Sequence, residues 1–245
     1  MIANALIFYP SKYPAGDWKP WGLEFEDAWF AAADGTALHG WYVPCEDARA
    51  TILIAHGNAG NLSDRVDMLR TLHRLRATAM IFDYRGYGRS AGRPTVAGIL
   101  ADGRAARAWL AQRENLLPRK LVLLGESLGG AVMIDLAARD GARGVILENA
   151  FTSLADVAAY HFPWLPVKLL LRGQLDSLAK IGNYRGPLLQ RHGDADQIVP
   201  FALAEQLFAA AHEPKRLVVE PGGDHNEPPT RQYLSALDEF LDSLP

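Results

Sequence analysis

Cysteine is almost missing from this chain, with Cys45 the single example in 245 residues. Without a second thiol there can be no intrachain disulfide framework and no multi-cysteine metal site. Cationic clustering is missing too: 25 Lys and Arg are scattered against 28 Asp and Glu, and the net charge is only -3. No basic stripe can follow a phosphate backbone, which argues against a nucleic-acid partner. The chain has no internal repeat, no low-complexity tract and no apolar run long enough to span a membrane. Its opening, MIANALIFYPSKYP, is apolar but short, and lacks the basic leader and small-residue cleavage site of a secretory signal. A cytoplasmic protein is expected from the sequence as given, and a membrane-associated one if a longer natural chain carries an upstream anchor.

What is present is the balance of an ordinary globular domain, 49% hydrophobic and 22% charged. A chain of this length buries about 73% of its unfolded surface, and one domain over 1–245 is expected. Short β-rich apolar runs alternate with longer helical segments. That order predicts an α/β fold, a mostly parallel central sheet with helices on both faces. Ahead of the alternation, LEFEDAWFAAADGTALHGWYVP reads as an antiparallel hairpin turning at Asp34-Gly35, an N-terminal edge to the sheet. Then come strand ATILIAHG, helix LSDRVDMLRTLHRLR, strand TAMIFDY and a long helix that Pro94 opens at its first turn. Strand KLVLLG, a helix from Leu128 to about Arg139 and strand GVILEN follow. After an insert at about 151–181 come strand PLLQRHG, helix FALAEQLFAAA, strand KRLVVEPG and a helix from about Pro229 to Leu244. Within the insert, Phe162-Pro163-Trp164-Leu165-Pro166 cannot stay helical, because each proline pushes the residue before it out of the helical region. The insert reads as a small cap over the carboxyl edge of the sheet, or as a loop and helix that simply pack on the surface.

The chemistry concentrates where strands end. Gly125-Glu126-Ser127-Leu128-Gly129 closes a strand and opens a helix, the setting in which G-x-S-x-G lifts a serine oxygen clear of a sheet. The competing reading of Ser127 is a side-chain cap for the following helix. A serine hydroxyl is a weak nucleophile, so it needs a base and a group to orient that base. His225 lies in the glycine-rich loop after the last predicted strand, at the same sheet edge, and is the candidate base. The acid belongs after the preceding strand, where Asp194 and Asp196 are both available. His56 and His192 also end strands, but each precedes a glycine and reads as fixing a turn. An acyl-transfer site also needs two backbone donors at the oxygen that turns negative, and Asn58 and Leu128 are placed to supply them. Phe151, Phe162, Trp164 and Leu165, in or beside the insert, are candidates for an apolar substrate wall.

HGNAGN, DYRGYGRSAGRP, GESLGG, HGDADQIVP and GGDHNE together resemble α/β-hydrolases, from about Leu38 to the C-terminus. The likeness is to the single-domain branch that includes membrane-associated and depalmitoylating serine hydrolases, and it extends to the FTSL and PWLP pieces of the insert. The resemblance implies a Ser127, Asp196, His225 triad, since H-G-x-x-D-x-x-V-P selects Asp196 and leaves Asp194 as a turn residue. It also implies an acyl-enzyme, no metal, no organic cofactor and a small-molecule acyl ester as substrate. An acyl thioesterase or protein depalmitoylase would use the same parts and is the alternative. A non-catalytic binding protein on a hydrolase fold is disfavoured by the intact three residues. In Asp83-Tyr84-Arg85-Gly86-Tyr87-Gly88 the resemblance carries a structural loop, with Arg85 paired internally.

Overall fold

The computed structural model describes residues 7–245, so the first six residues of the apolar opening lie outside the described residues. The chain divides into two compact units, Met1–Leu123 and Leu124–Pro245. In the first, β1 (Glu26–Ala31) and β2 (Ala37–Val43) pair antiparallel, with Ala31 opposite Ala37. The Asp34-Gly35 turn is held by the Asp34 carboxylate, which accepts the Thr36 N–H at 3.1 Å, and by a Gly35 φ of 81°. Parallel strands β3 (Ala50–Ala55) and β4 (Ala77–Phe82) follow, giving the order β3-β4-β2-β1. Every residue of β3 and β4 is buried, as unbroken apolar runs in parallel strands require, whereas β1 is largely exposed at the edge.

Two helices of this unit depart from the sequence reading. The segment predicted as one helix from Leu62 is a 3-10 turn, Leu62–Arg65, followed by α1 (Val66–Arg74). Asn61 and Asp64 close a capping box around that turn, satisfying its first amides before the α-helix begins. The long helix α2 (Val96–Arg113) begins after Pro94 rather than on it, because the Thr95 side chain accepts the Gly98 N–H and takes the cap position. Arg85 is internally paired as expected: its guanidinium reaches Asp102 at 2.8 Å and Asp34 at 2.8 Å.

In the second unit β5 (Val122–Glu126), β6 (Gly144–Glu148), β7 (Leu188–Gly193) and β8 (Lys215–Glu220) lie in the order β8-β7-β6-β5. The unit boundary falls inside β5. Strand β7 is parallel to both β6 and β8. Helix α3 (Leu128–Asp140) packs on β6, α7 (Phe201–Ala210) on β7, and α8 (Arg231–Ser243) on β7 and β8. The insert supplies α4 (Leu154–His161), α5 (Val167–Leu170) and α6 (Leu178–Ile181). Helix α4 stops immediately before Phe162-Pro163 and α5 starts immediately after Pro166, as the prolines demand. Val167, Leu175 and Ile181 pin the insert inward, and Lys180 reaches Asp135 of α3 at 2.7 Å. Among the described residues, no helix is long and apolar enough to cross a membrane.

Candidate active site

The serine comes from a forced turn. Ser127 links the end of β5 to the start of α3 with φ 50° and ψ -111°, a conformation that costs a non-glycine residue roughly 1–3 kcal/mol. Its N–H donates to the Glu148 carbonyl at 2.8 Å and its carbonyl accepts the Gly130 N–H at 2.9 Å, so both sides of the turn are fixed. Gly125 explains part of the motif: a Cβ there would sit 2.5 Å from the Gly129 carbonyl oxygen. The competing role for Ser127 is not taken, because its side chain makes no cap hydrogen bond to α3. Its Oγ instead lies 3.1 Å from His225 Nε2.

His225 and Asp196 arrive on two loops joined to each other. Past β7 and β8 the loops 194–199 and 221–226 are bridged, the Ala195 N–H donating to Gly223 and the Gly222 N–H to the Asp194 carboxylate. The close approach needs Gly193, where a Cβ would fall 2.2 Å from the Gly223 carbonyl oxygen. Asp224 Oδ1 accepts N–H groups from Gln197 at 3.0 Å and His225 at 2.7 Å, which draws the loops together again. Against this frame His225 Nδ1 donates to Asp196 Oδ2 at 2.6 Å, leaving Nε2 to accept from Ser127. The three side chains predicted as nucleophile, base and acid are therefore hydrogen-bonded in series, each nearly buried.

The Asp196 carboxylate is saturated. Oδ1 accepts the N–H groups of Ile198 and Val199, both at 2.8 Å, and Oδ2 lies 3.2 Å from His192 Nε2 as well as bonding His225. Burial pushes its pKa up, but the hydrogen bonds from His192 and His225 outweigh that and hold it well below the usual carboxylate range. Asp194 takes a different part: exposed, it accepts the Gly222 N–H at 2.6 Å and steadies the histidine loop from outside.

Two of these neighbours were not legible in the sequence. His192, read as fixing a turn, does hold the Val199 carbonyl at 2.8 Å, and the same nitrogen also faces Asp196. Asn149, at φ 51°, donates from Nδ2 to the His225 carbonyl at 2.6 Å. An asparagine directly after a strand is the available signal, since Asn tolerates the left-handed region better than most residues. Beneath both loops Arg191 binds Glu220 at 2.5 Å and the Glu227 carbonyl at 2.8 Å, and approaches Glu148 at 3.8 Å. Tyr233 donates to Glu148 at 2.5 Å, and the Thr230 hydroxyl to Glu220 at 2.7 Å. Burial raises the Glu148 pKa above its ordinary value despite Arg191; for Glu220 burial acts the same way but the Arg191 bonds prevail and lower it.

Leu128 is the first residue of α3, so its amide has no acceptor within the helix and sits at the positive end of the helix dipole. Asn58 belongs to the first unit, in the loop after β3, where its carbonyl accepts the Tyr87 hydroxyl at 2.8 Å and its side chain binds Ile7. His56 makes a local bond, Nδ1 to the Gly57 carbonyl at 2.7 Å. Of the candidate substrate residues Phe151 is buried, whereas Phe162, Trp164 and Leu165 stand exposed. Among the described residues no group of three or more His, Cys, Asp or Glu side chains is arranged to hold a metal ion.

Comparisons with known proteins bear on the family and the fold. A family model described as serine aminopeptidase, S33, matches residues 46–174. The uncharacterized protein Rv2307c of Mycobacterium tuberculosis is 41% identical over 244 residues, covering 96% of this chain and 86% of that protein. The uncharacterized protein YfhR of Escherichia coli strain K12 is 37% identical over 236 residues, covering 91% and 80%. Among solved structures, the Pyrococcus furiosus esterase Pf2001 superposes with a TM-score of 0.81 over 97% of this chain and 98% of that one. At 18% identity that likeness speaks to the fold, which it matches from end to end.

Proposed function

Because the chain belongs to the α/β-hydrolase superfamily, within its serine aminopeptidase S33 family, we propose that it is a serine hydrolase cleaving carboxylic esters through an acyl-enzyme on Ser127. The observation that carries this reading is the hydrogen-bond series from Ser127 through His225 to Asp196. His225 Nε2 accepts the Ser127 proton as Oγ attacks the ester carbonyl, and the imidazolium so formed faces the Asp196 carboxylate across 2.6 Å. The carbonyl oxygen becomes negative in the tetrahedral intermediate and is assigned to the Leu128 amide at the start of α3. Collapse expels the alcohol, which takes the proton back from His225. Water, deprotonated by the same nitrogen, then releases the acid and restores Ser127. Asp196 stays ionised throughout, because the donors around it oppose its protonation.

A fluorophosphonate probe tests the activated serine, and a panel of p-nitrophenyl esters, acyl thioesters and amino-acid p-nitroanilides tests the bond cleaved. Ser127→Ala should abolish labelling and lower ester turnover on the order of a million-fold while the fold is kept. Labelling that survives the substitution would move the nucleophile elsewhere. Turnover confined to anilides would replace the ester reading with an aminopeptidase one, and turnover confined to thioesters would favour the thioesterase alternative.

A further inference from the structure

The insert presents an exposed apolar face. Tyr160, Phe162, Trp164, Leu165, Leu169 and Leu170 are all exposed, Trp164 and Leu169 each by 74% and Leu170 by 69%. They fall within 160–170, where inward-facing Val167 anchors the segment and leaves these six outside. Phe162 and Trp164 meet edge to face with ring centroids 6.0 Å apart, and α4 packs on α5, so the side chains form one neighbourhood. Monomeric proteins rarely leave so many large apolar groups together in water without a partner.

Charge identifies the partner. From 157 to 175 there is no Asp or Glu, whereas Lys168 and Arg172 are both exposed among the leucines. Lys168 pairs with Asp156 at 3.0 Å, but an exposed pair of this kind is worth little and its ammonium can move to another anion. A second copy fits less well, because a two-fold contact would bring Arg172 toward its own image while Asp156, the carboxylate beside the segment, is already paired with Lys168. A protein groove would suit the aromatic residues and Arg172 but not Lys168 or the exposed pair Leu169 and Leu170, since protein interfaces are depleted in lysine and their energetic anchors are seldom leucine. Tryptophan, tyrosine, leucine and flanking cations are the composition that settles into the headgroup boundary of an anionic bilayer.

We propose that this face of the insert is a docking surface for anionic lipid membranes, holding the protein peripherally through the exposed side chains of 160–172. The surface leads to the candidate site. His161 Nε2 donates to the Ile198 carbonyl at 2.9 Å, Ile198 is itself exposed, and its N–H binds Asp196. A docked chain would thus hold the Asp196 loop close to the lipid boundary.

The test is flotation of the full chain with vesicles of phosphatidylcholine alone and of phosphatidylcholine mixed with phosphatidylglycerol. The chain should float with the mixed vesicles, and less as salt is raised. Each cation near an anionic surface contributes about fivefold, so Lys168→Gln with Arg172→Gln should lower that binding about 25-fold. Leu169→Ser with Leu170→Ser should lower it about tenfold or more, with melting temperature and turnover of soluble esters preserved. A wild-type chain that floats with neither vesicle, gains nothing from phosphatidylglycerol, or binds no better than the leucine variant overturns the proposal. A dimer that the leucine variant dissociates, in a chain that binds no vesicle, assigns the face to a second copy and overturns it equally.

Discussion

Asp196→Asn isolates the role of one carboxylate without changing its shape. The native group has two unlike oxygens: Oδ1 serves the Ile198 and Val199 amides, and Oδ2 serves His225 at 2.6 Å and faces His192 at 3.2 Å. An amide in this place keeps its oxygen where the two backbone donors point, because turning it the other way would face its NH2 toward two N–H groups. The NH2 then replaces Oδ2 and confronts His225 Nδ1–H, donor against donor. The imidazole escapes by moving its proton to Nε2, so that Nδ1 accepts from the amide. Nε2–H then faces Ser127 Oγ and cannot take its proton. The expected loss in kcat/KM is on the order of ten-thousand-fold, the scale seen when a triad histidine is held in the wrong tautomer. Asp194→Asn is the control: exposed and bonded to the Gly222 N–H at 2.6 Å, it should keep activity within about tenfold. Both variants would be assayed on a p-nitrophenyl ester after melting curves establish that each is folded. Asp196→Asn activity within tenfold of wild type, or a larger loss for Asp194→Asn, would refute the assignment of the acid.

Arg191→Met leaves Glu220 and Glu148 buried without their cation, which should cost about 3–5 kcal/mol and lower the melting temperature by about 6–20 °C; a drop of only a degree or two would mean the network is dispensable. His192→Phe keeps a flat ring at this position but removes one of the two donors at Asp196 Oδ2, so kcat should fall on the order of ten- to a hundredfold with KM little changed; an unchanged kcat would confine His192 to fixing its turn. Asp196 also sets an acid limb for stability. Its folded pKa lies below the unfolded value of about 3.9, so the ionised carboxylate stabilises the fold at neutral pH, and that contribution is lost as pH falls below about 4 toward the folded value. Melting temperature followed from pH 7 downward should therefore fall less steeply below pH 4 in Asp196→Asn than in wild type, and parallel curves would contradict the shift.

The parts legible in the sequence are those that local sterics dictate. Short, nearly apolar runs rich in β-branched residues such as ATILIA read as buried parallel strands, and the structure buries every residue of β3. The elbow was legible for a related reason, since Gly125 sits where any side chain would strike the backbone of the next turn. Partnership across loops is legible only through the family motif, not from local chemistry. Asp194 and Asp196 are two positions apart with the same chemistry, and which one turns inward depends on Gly193 meeting Gly223, a contact between segments thirty residues apart in sequence. His192 and Asp196 are four apart, a spacing that means proximity on a helix; here a strand ends and a loop reverses between them. Helix starts failed similarly, because a side-chain oxygen at Thr95 or Asn61 decides the cap and a proline nearby does not.

The insert shows where pattern reading stops for a physical reason. Its apolar content is plain, and the pattern groups Phe151, Phe162, Trp164 and Leu165 as a single wall. A hydrophobic pattern assigns a face only when an element is long enough to repeat, and α5 and α6 are four residues each, about one turn. Within such a segment apolar character is shared by side chains that point in and side chains that point out. Direction is set by the two prolines, which end α4 at His161 and restart the helix at Val167, so that Val167 is buried while Leu169 and Leu170 two and three positions later face solvent. Phe151 lies before any of these breaks, next to β6, and is buried with the strand that leads to it. The same composition therefore divides between a group inside the domain and a group on its surface, and the division follows the proline positions rather than the hydrophobicity.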